Sequence, residues 1–88
     1  MTELQAIFAG RVQGVGFRVT MRAIALKLGI QGTVRNLPNG TVELYAQASR
    51  EILEELVSSI QREFPASRPD SLIYSKITKT FSHFNIIE

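Results

Sequence analysis

One nine-residue stretch decides the fold of this chain: Gly10-Arg11-Val12-Gln13-Gly14-Val15-Gly16-Phe17-Arg18. Residues 4–12 are largely apolar and predict a strand, whereas the large apolar residues from Phe17 onward recur at the three-to-four-residue spacing of a helix. Because glycine readily adopts positive φ, Gly14 and Gly16 allow the backbone between these elements to curl until several N–H groups point inward. The stretch therefore predicts a strand–loop–helix unit whose loop and helix N-terminus favour an anion.

Outward from this unit, the hydrophobic pattern predicts the order βαββαβ. The predicted bounds are a helix over 17–28 that stops at Gly29, strands over 30–37 and 41–48, a helix over 50–64 capped by Ser49, and a strand over 72–80. Pro38-Asn39-Gly40 predicts a hairpin turn, residues 65–69 predict a break, and residues 84–87 are compatible with a short fifth strand. This order implies an α+β sandwich in one domain over residues 1–88, with two helices on one face of a mainly antiparallel sheet.

Composition limits the classes of function. The chain has 88 residues, 44% hydrophobic and 20% charged, which predicts one small soluble globular domain. With no cysteine and a single histidine, His83, the sequence offers no disulfide framework, thiolate nucleophile or cysteine- or histidine-rich metal site. No apolar run reaches the roughly 18 residues of a membrane span, and the first residues do not resemble a signal peptide. We therefore expect a cytoplasmic protein that binds neither membrane nor metal and needs no cofactor. Its small size and thin core make a monomer the default.

Charge is concentrated near the glycine loop. Residues 1–40 hold five basic groups and one acidic group, whereas residues 41–88 hold five basic and seven acidic groups. The excess of basic over acidic groups in the whole chain is too small to bind a long row of nucleic-acid phosphates. The basic groups near the loop therefore indicate a local anion site rather than a nucleic-acid surface. A chance distribution of solvated arginines is the competing interpretation.

The residues in and after the loop limit the chemistry of such a site. Arg18 would lie in the first helical turn, where a guanidinium can donate two parallel hydrogen bonds to a phosphoryl group. No lysine follows the glycines as in a P-loop, and Val19 stands where a dinucleotide motif needs glycine. The spacing is similar to the cradle of Cys-x5-Arg phosphatases, but Val12 stands at the nucleophile position. Water must then attack directly, which suits a good leaving group such as the carboxylate of an acyl phosphate, and Asn36 is the best candidate to orient that water. An ordinary glycine-rich turn is the structural alternative.

Several motifs resemble the acylphosphatase family. Residues 10–18 match the family signature Gly-Arg-Val-Gln-Gly-Val-x-Phe-Arg at every specified position, and Gly32-x-Val34-x-Asn36 matches its second motif. Residues 36–43 resemble the hairpin that follows. The resemblance is strong over residues 4–48 and weak afterwards, and this chain departs from the family pattern at Thr33, Ser49 and residues 63–69.

The resemblance implies a ferredoxin-like sandwich and metal-independent hydrolysis of small acyl phosphates to carboxylate and phosphate. It implies that Arg18 and the loop N–H groups bind the phosphoryl group and that Asn36 orients the attacking water. The implied substrate-binding residues are those of the loop: Gln13, Gly14, Val15, Gly16, Phe17 and Arg18. Implied substrates include acetyl phosphate, carbamoyl phosphate and 1,3-bisphosphoglycerate.

Two alternatives from other classes are compatible with the same sequence. A non-catalytic phosphate or acyl-phosphate binding module, or a regulatory ferredoxin-like domain, would use the same cradle without hydrolysis. A ferredoxin-like RNA-binding domain would need exposed aromatic residues beside basic ones on the sheet. Tyr45 and Tyr74 are the only tyrosines, and there is no tryptophan, so we expect no nucleic-acid partner.

Overall fold

A computed structural model describes residues 1–87, so Glu88, the last residue of the predicted domain, lies outside the described residues. The elements in chain order are β1 (Thr2–Gly10), α1 (Phe17–Lys27), β2 (Gln31–Asn36), β3 (Val42–Ala48), α2 (Arg50–Glu63), β4 (Ser67–Ser75) and β5 (Phe84–Ile86).

The five strands form one mixed sheet in the order β4-β1-β3-β2-β5. β1 pairs antiparallel with β3 and β4, and β3 pairs antiparallel with β2, whereas the short β5 runs parallel to β2. Both helices contribute to a single buried core on the sheet. The predicted ferredoxin-like α+β sandwich is confirmed.

The core follows from strand alternation and two helical stripes. In β1, the fully buried Leu4, Ala6 and Phe8 point toward the helices. The Phe17 ring lies between two other rings, with centroids 5.5 Å from Phe8 and 5.1 Å from Phe64. This packing anchors the first turn of α1, which carries Arg18, because burying one such side chain contributes roughly 1.5–3 kcal/mol.

The helix bounds agree with the sequence-based expectation. Ser49 caps α2, its hydroxyl accepting a hydrogen bond from the Ile52 N–H at 3.3 Å. In α1 the small Ala25 is fully buried, whereas Ile24 is only partly buried. The buried residues of α2 are Leu53, Leu56, Val57 and Ile60.

A connecting segment crosses the sheet face opposite the helices. We call residues 76–83 the strap, because they run from β4 at one edge of the sheet to β5 at the other. The carboxylate of Glu3 in β1 holds it: the Thr78 hydroxyl donates to Oε2 at 2.7 Å and the Thr78 N–H donates to Oε1 at 3.2 Å. Gln47 Nε2 donates both to Glu3 Oε1 at 3.0 Å and to the Lys79 carbonyl at 2.7 Å. The strap thereby buries two polar side chains, Glu3 and Gln47.

Two strand predictions were wrong in position. The predicted strand over 72–80 lies instead at Ser67–Ser75, and the β-branched residues after Ser75 belong to the strap. Pro69 does not break β4, because an edge strand tolerates a missing N–H and the register against β1 shifts there: Ile7 pairs with Ser71 and Phe8 with Pro69. The first strand, predicted over 4–12, ends at Gly10, where φ is +88°.

Candidate active site

The loop after β1 and the end of β2 lie at the same end of the sheet. Both strands run antiparallel to the intervening β3, so their carboxyl ends coincide, and the register aligns Phe8, Val42 and Asn36 across the three strands. α1 begins directly after the loop. The topology therefore brings together the two motifs that the sequence places about twenty residues apart.

The loop is shaped by two glycines in the left-handed region. Gly14 has φ +75° and Gly16 has φ +79°, and a Cβ at either position would meet no heavy atom within 4 Å. Backbone conformation rather than space therefore favours glycine here. Gly16 is the N-cap of α1, without a side-chain cap, and the first turn holds no acidic residue. The first N–H groups of α1 consequently have no intrahelical acceptor and no local anion to satisfy them.

Arg18 is the second residue of α1 and is half-buried. Four arginines in residues 1–87 pair with carboxylates, at positions 35, 50, 62 and 68. Within this part of the chain Arg18 has no such partner. Its guanidinium therefore adds an uncompensated positive charge to the uncapped end of the helix dipole.

Asn36 is the last residue of β2 and shares the parity of the buried Val34, so it lies on the helix-facing side of the sheet. Its Oδ1 is fully buried and accepts no hydrogen bond from any described residue. An unsatisfied buried acceptor costs about 1–3 kcal/mol, so such an atom is unusual and needs an explanation. It is a strong hydrogen-bond acceptor at the end of the sheet where the loop N–H groups and Arg18 supply donors.

The Gln13 side chain is committed to the protein rather than directed to an anion. Its Nε2 donates to the carbonyl of Leu37 at 3.0 Å and to that of Thr41 at 2.9 Å. Sequence reasoning assigned Gln13 to the loop but missed this contact, because no local pattern specifies a bond across 24 and 28 residues. Of the remaining loop residues, Val12 is buried beneath the loop and Val15 packs against the core, so their side chains shape it from below.

The other polar residues considered from the sequence lie elsewhere. Arg35 pairs with Glu43 at 2.8 Å on the face opposite the helices. Tyr45 lies on that same face under the strap, 6.5 Å from Phe81 between ring centroids, and the Lys79 ammonium lies 4.1 Å from its ring. Tyr74 packs toward the core beneath Arg50, whose guanidinium carbon lies 3.6 Å from the ring centroid. The two tyrosines therefore do not form a common stacking surface.

A family model described as acylphosphatase matches residues 4–86. The chain belongs to the acylphosphatase family. The acylphosphatase of Ligilactobacillus salivarius is 40% identical over 88 residues, covering 98% of this chain and 98% of that protein. That of Treponema denticola is 45% identical over 69 residues, covering 78% of this chain and 73% of that protein. The crystal structure of acylphosphatase from Bacillus subtilis superimposes with a TM-score of 0.90 at 31% identity, covering all of both chains.

Membership of the acylphosphatase family and the shared fold assign hydrolysis of acyl phosphates to this chain, as the resemblance implied. The substrate class is small acyl phosphates. No helix within residues 1–87 is long and apolar enough to cross a membrane.

Proposed function

We propose that this acylphosphatase holds the phosphoryl group between Arg18 and the N–H groups of residues 13–18, and that Asn36 orients the attacking water. The observation that carries the proposal is Asn36 Oδ1, a buried acceptor without a donor among the described residues, at the end of the sheet where the uncapped N-terminus of α1 begins. Because Oδ1 is fully buried in this structure, the proposal requires the Asn36 side chain to turn toward the loop, where Oδ1 can accept a hydrogen bond from a water whose oxygen faces the phosphorus.

The reaction needs little covalent chemistry from the protein. The water oxygen forms a bond to phosphorus as the bond between phosphorus and the acyl oxygen breaks. The electron pair leaves on the carboxylate, and both hydrogens of the water remain on the released phosphate. Because a carboxylate is weakly basic, it leaves without protonation, and the protein acts by positioning and by stabilising charge on the phosphoryl oxygens. No nucleophilic side chain or metal is part of the proposed mechanism.

The proposal is tested by hydrolysis of benzoyl phosphate in excess chelator, comparing the wild type with Arg18→Gln and Asn36→Ala. We expect turnover by the wild type, and a fall in kcat of about 10²–10³ in each variant, the effect of losing one aligned polar group. Arg18→Gln should also weaken competitive inhibition by inorganic phosphate, whereas Asn36→Ala should change it much less. The exposed Arg62→Gln and Asn85→Ala serve as matched controls that keep wild-type rates.

Normal turnover by either folded variant would refute the role assigned to that residue. A folded wild type that binds phosphate but turns over no substrate would instead favour the binding-module alternative. Loss of activity in chelator, restored by a divalent ion, would overturn the metal-independent part of the proposal.

We also propose that residues 1–88 act as a single monomeric domain in the cytoplasm, with no cofactor and no nucleic-acid partner. One edge of the sheet is the short β5, and the other is β4, which carries Pro69 at a shift in register. Both edges are poorly suited to pairing with a second copy, which supports the monomer. The cysteine-free sequence needs no oxidising compartment, which is compatible with the cytoplasm. Sedimentation equilibrium should give the monomer mass of 9.8 kDa, and cell fractionation should recover the protein in the cytosol.

A further inference from the structure

The two halves of the proposed site come from separate stretches of chain. The loop belongs to the connection from β1 to α1, whereas Asn36 ends β2. A bound phosphoryl group and its attacking water must be held at a defined separation, because a misplacement of about 1 Å can reduce a rate about a hundredfold. Something must therefore fix the loop relative to the end of β2.

The Gln13 amide makes the link between these stretches. It donates to the carbonyls of Leu37 and Thr41, at 3.0 and 2.9 Å, so both of its N–H groups are used. Leu37 directly follows Asn36 in the chain. A single side chain thus joins the curled backbone of the loop to the residue next to the proposed water-orienting amide.

The two accepting carbonyls are themselves fixed. The Leu37 N–H donates to the Thr41 carbonyl at 2.8 Å, and the Gly40 N–H donates to the Leu37 carbonyl at 3.2 Å, which closes the turn between β2 and β3. Each carbonyl therefore accepts one bond from the turn and one from Gln13, which fills both lone pairs. Gln13 is attached to an ordered turn rather than to a free loop.

We propose that Gln13 is a positioning residue, which sets the distance between the phosphoryl cradle and Asn36 through its side chain. The inference rests on the proposed roles of the loop and Asn36. It assigns different roles to the backbone N–H and to the side chain of Gln13. The backbone N–H of Gln13 belongs to the cradle, whereas its side chain does not contact substrate and acts through the turn.

The test is Gln13→Met, which keeps an unbranched side chain of similar length but removes both donors. The matched control is Gln31→Met, because Gln31 also donates from Nε2 to a backbone carbonyl, that of Ser82 at 3.4 Å, but at the opposite end of β2. For Gln13→Met we expect kcat to fall about 10- to 100-fold, while the inhibition constant for inorganic phosphate changes less than about threefold. In the Asn36→Ala background, Gln13→Met should lower kcat less than about twofold, because residues that act through one another are not additive.

Three outcomes would overturn the proposal: a folded Gln13→Met with unchanged kcat, an equal loss of kcat and phosphate affinity, or an undiminished effect in the Asn36→Ala background. If Gln13→Met does not fold, Gln13→Asn replaces it, since that side chain is one methylene too short to reach both carbonyls. A second measurement does not depend on turnover, so it distinguishes failure of the positioning role of Gln13 from failure of the proposed function. The Asn36 side-chain amide resonance should respond to added phosphate in the wild type and lose that response in the variant while the loop amides keep theirs. Retention of the Asn36 response in the variant, or its absence in the wild type, would contradict the positioning role.

Discussion

Removing the carboxylate of Glu3 tests how the strap is held against the sheet. Glu3 is 3% exposed and accepts from the Thr78 hydroxyl at 2.7 Å, the Thr78 N–H at 3.2 Å and Gln47 Nε2 at 3.0 Å. Bonds to a charged acceptor contribute roughly 1.5–3 kcal/mol each, and they are not additive within one cluster. Gln47 keeps its bond to the Lys79 carbonyl, and water can reach the outer side of the strap. We therefore expect Glu3→Ala to lower the free energy of unfolding by about 3 kcal/mol.

The milder Glu3→Gln isolates the charge from the shape. Its amide oxygen can still accept from Gln47 and the Thr78 N–H, and its NH₂ can donate to the Thr78 hydroxyl. Only the charge assistance is lost, so the expected decrease is about 1 kcal/mol. For a domain of this size these free energies correspond to falls in Tm of about 12–24 °C for Glu3→Ala and about 4–8 °C for Glu3→Gln.

The effect should depend on pH in one direction. Burial raises the pKa of Glu3, but hydrogen bonds from the Thr78 hydroxyl, Gln47 and the N–H groups of Thr78 and Lys79 outweigh it, so the pKa lies below its ordinary value of 4.5. The unfolded chain then binds the proton more tightly than the folded one. The stabilisation is therefore fully present above pH 4.5 and is lost as the pH falls through the folded-state pKa.

Urea unfolding followed by circular dichroism, at about pH 7 and about pH 3, measures both effects. The stability difference between wild type and Glu3→Gln should shrink at the lower pH. The exposed Glu63→Gln is the control, with an expected change in the free energy of unfolding within about 0.5 kcal/mol. Both Glu3 variants should retain kcat because Glu3 faces away from the site. A loss below about 1 kcal/mol for Glu3→Ala, or a Glu3→Gln difference that does not change with pH, would refute this account of the strap.

Three further substitutions test other parts of the molecule. Gly16→Ala places a side chain at φ +79° and should lower the free energy of unfolding by about 1–2 kcal/mol. It should also weaken phosphate binding in a calorimetric titration, and an unchanged affinity would argue against the loop as the phosphate-binding site. Ser49→Ala removes the hydroxyl that caps α2, and urea unfolding should show a loss of about 1 kcal/mol with normal kcat; an unchanged midpoint would mean that water replaces the cap. Phe17→Ala empties the space between two aromatic rings and should lower the free energy of unfolding by about 3–5 kcal/mol, so a loss under about 1 kcal/mol would contradict the anchoring of the first turn of α1.

Local signals account for much of the fold. Apolar periodicity and the turn at Pro38-Asn39-Gly40 located both helices and the β2–β3 hairpin, because neighbouring residues decide those features. They did not locate β4, since proline disfavours a strand locally and only its edge position and the shifted register make it acceptable. They also gave no indication of the strap, whose attachment joins Glu3 to Thr78 across 75 residues.

In the candidate site, too, some features follow from nearby residues in the sequence and others depend on tertiary structure. The glycine loop and Arg18 follow from nearby residues, so their placement at the start of α1 could be predicted. Asn36 could be proposed from its place near the end of the predicted second strand, whereas the significance of its separation from Arg18 came from the family resemblance. The burial of its Oδ1 depends on tertiary packing. The bonds of Gln13 to Leu37 and Thr41 depend on tertiary structure alone.

The uncapped start of α1 presents donors that belong to the main chain. Every residue except proline carries an N–H, so substitutions at Val15 or Val19 leave the donor set intact as long as the backbone path is kept. Such a binding surface tolerates substitution of side chains that contribute only a backbone N–H. It is sensitive to substitution at the residues that determine the backbone conformation. We therefore expect a saturation library over residues 13–19 to be permissive only at Val15 and Val19, where proline alone is excluded. Gly14, Gly16 and the packed Phe17 are restricted because they set the path, and Gln13 and Arg18 are restricted by the proposed roles of their side chains.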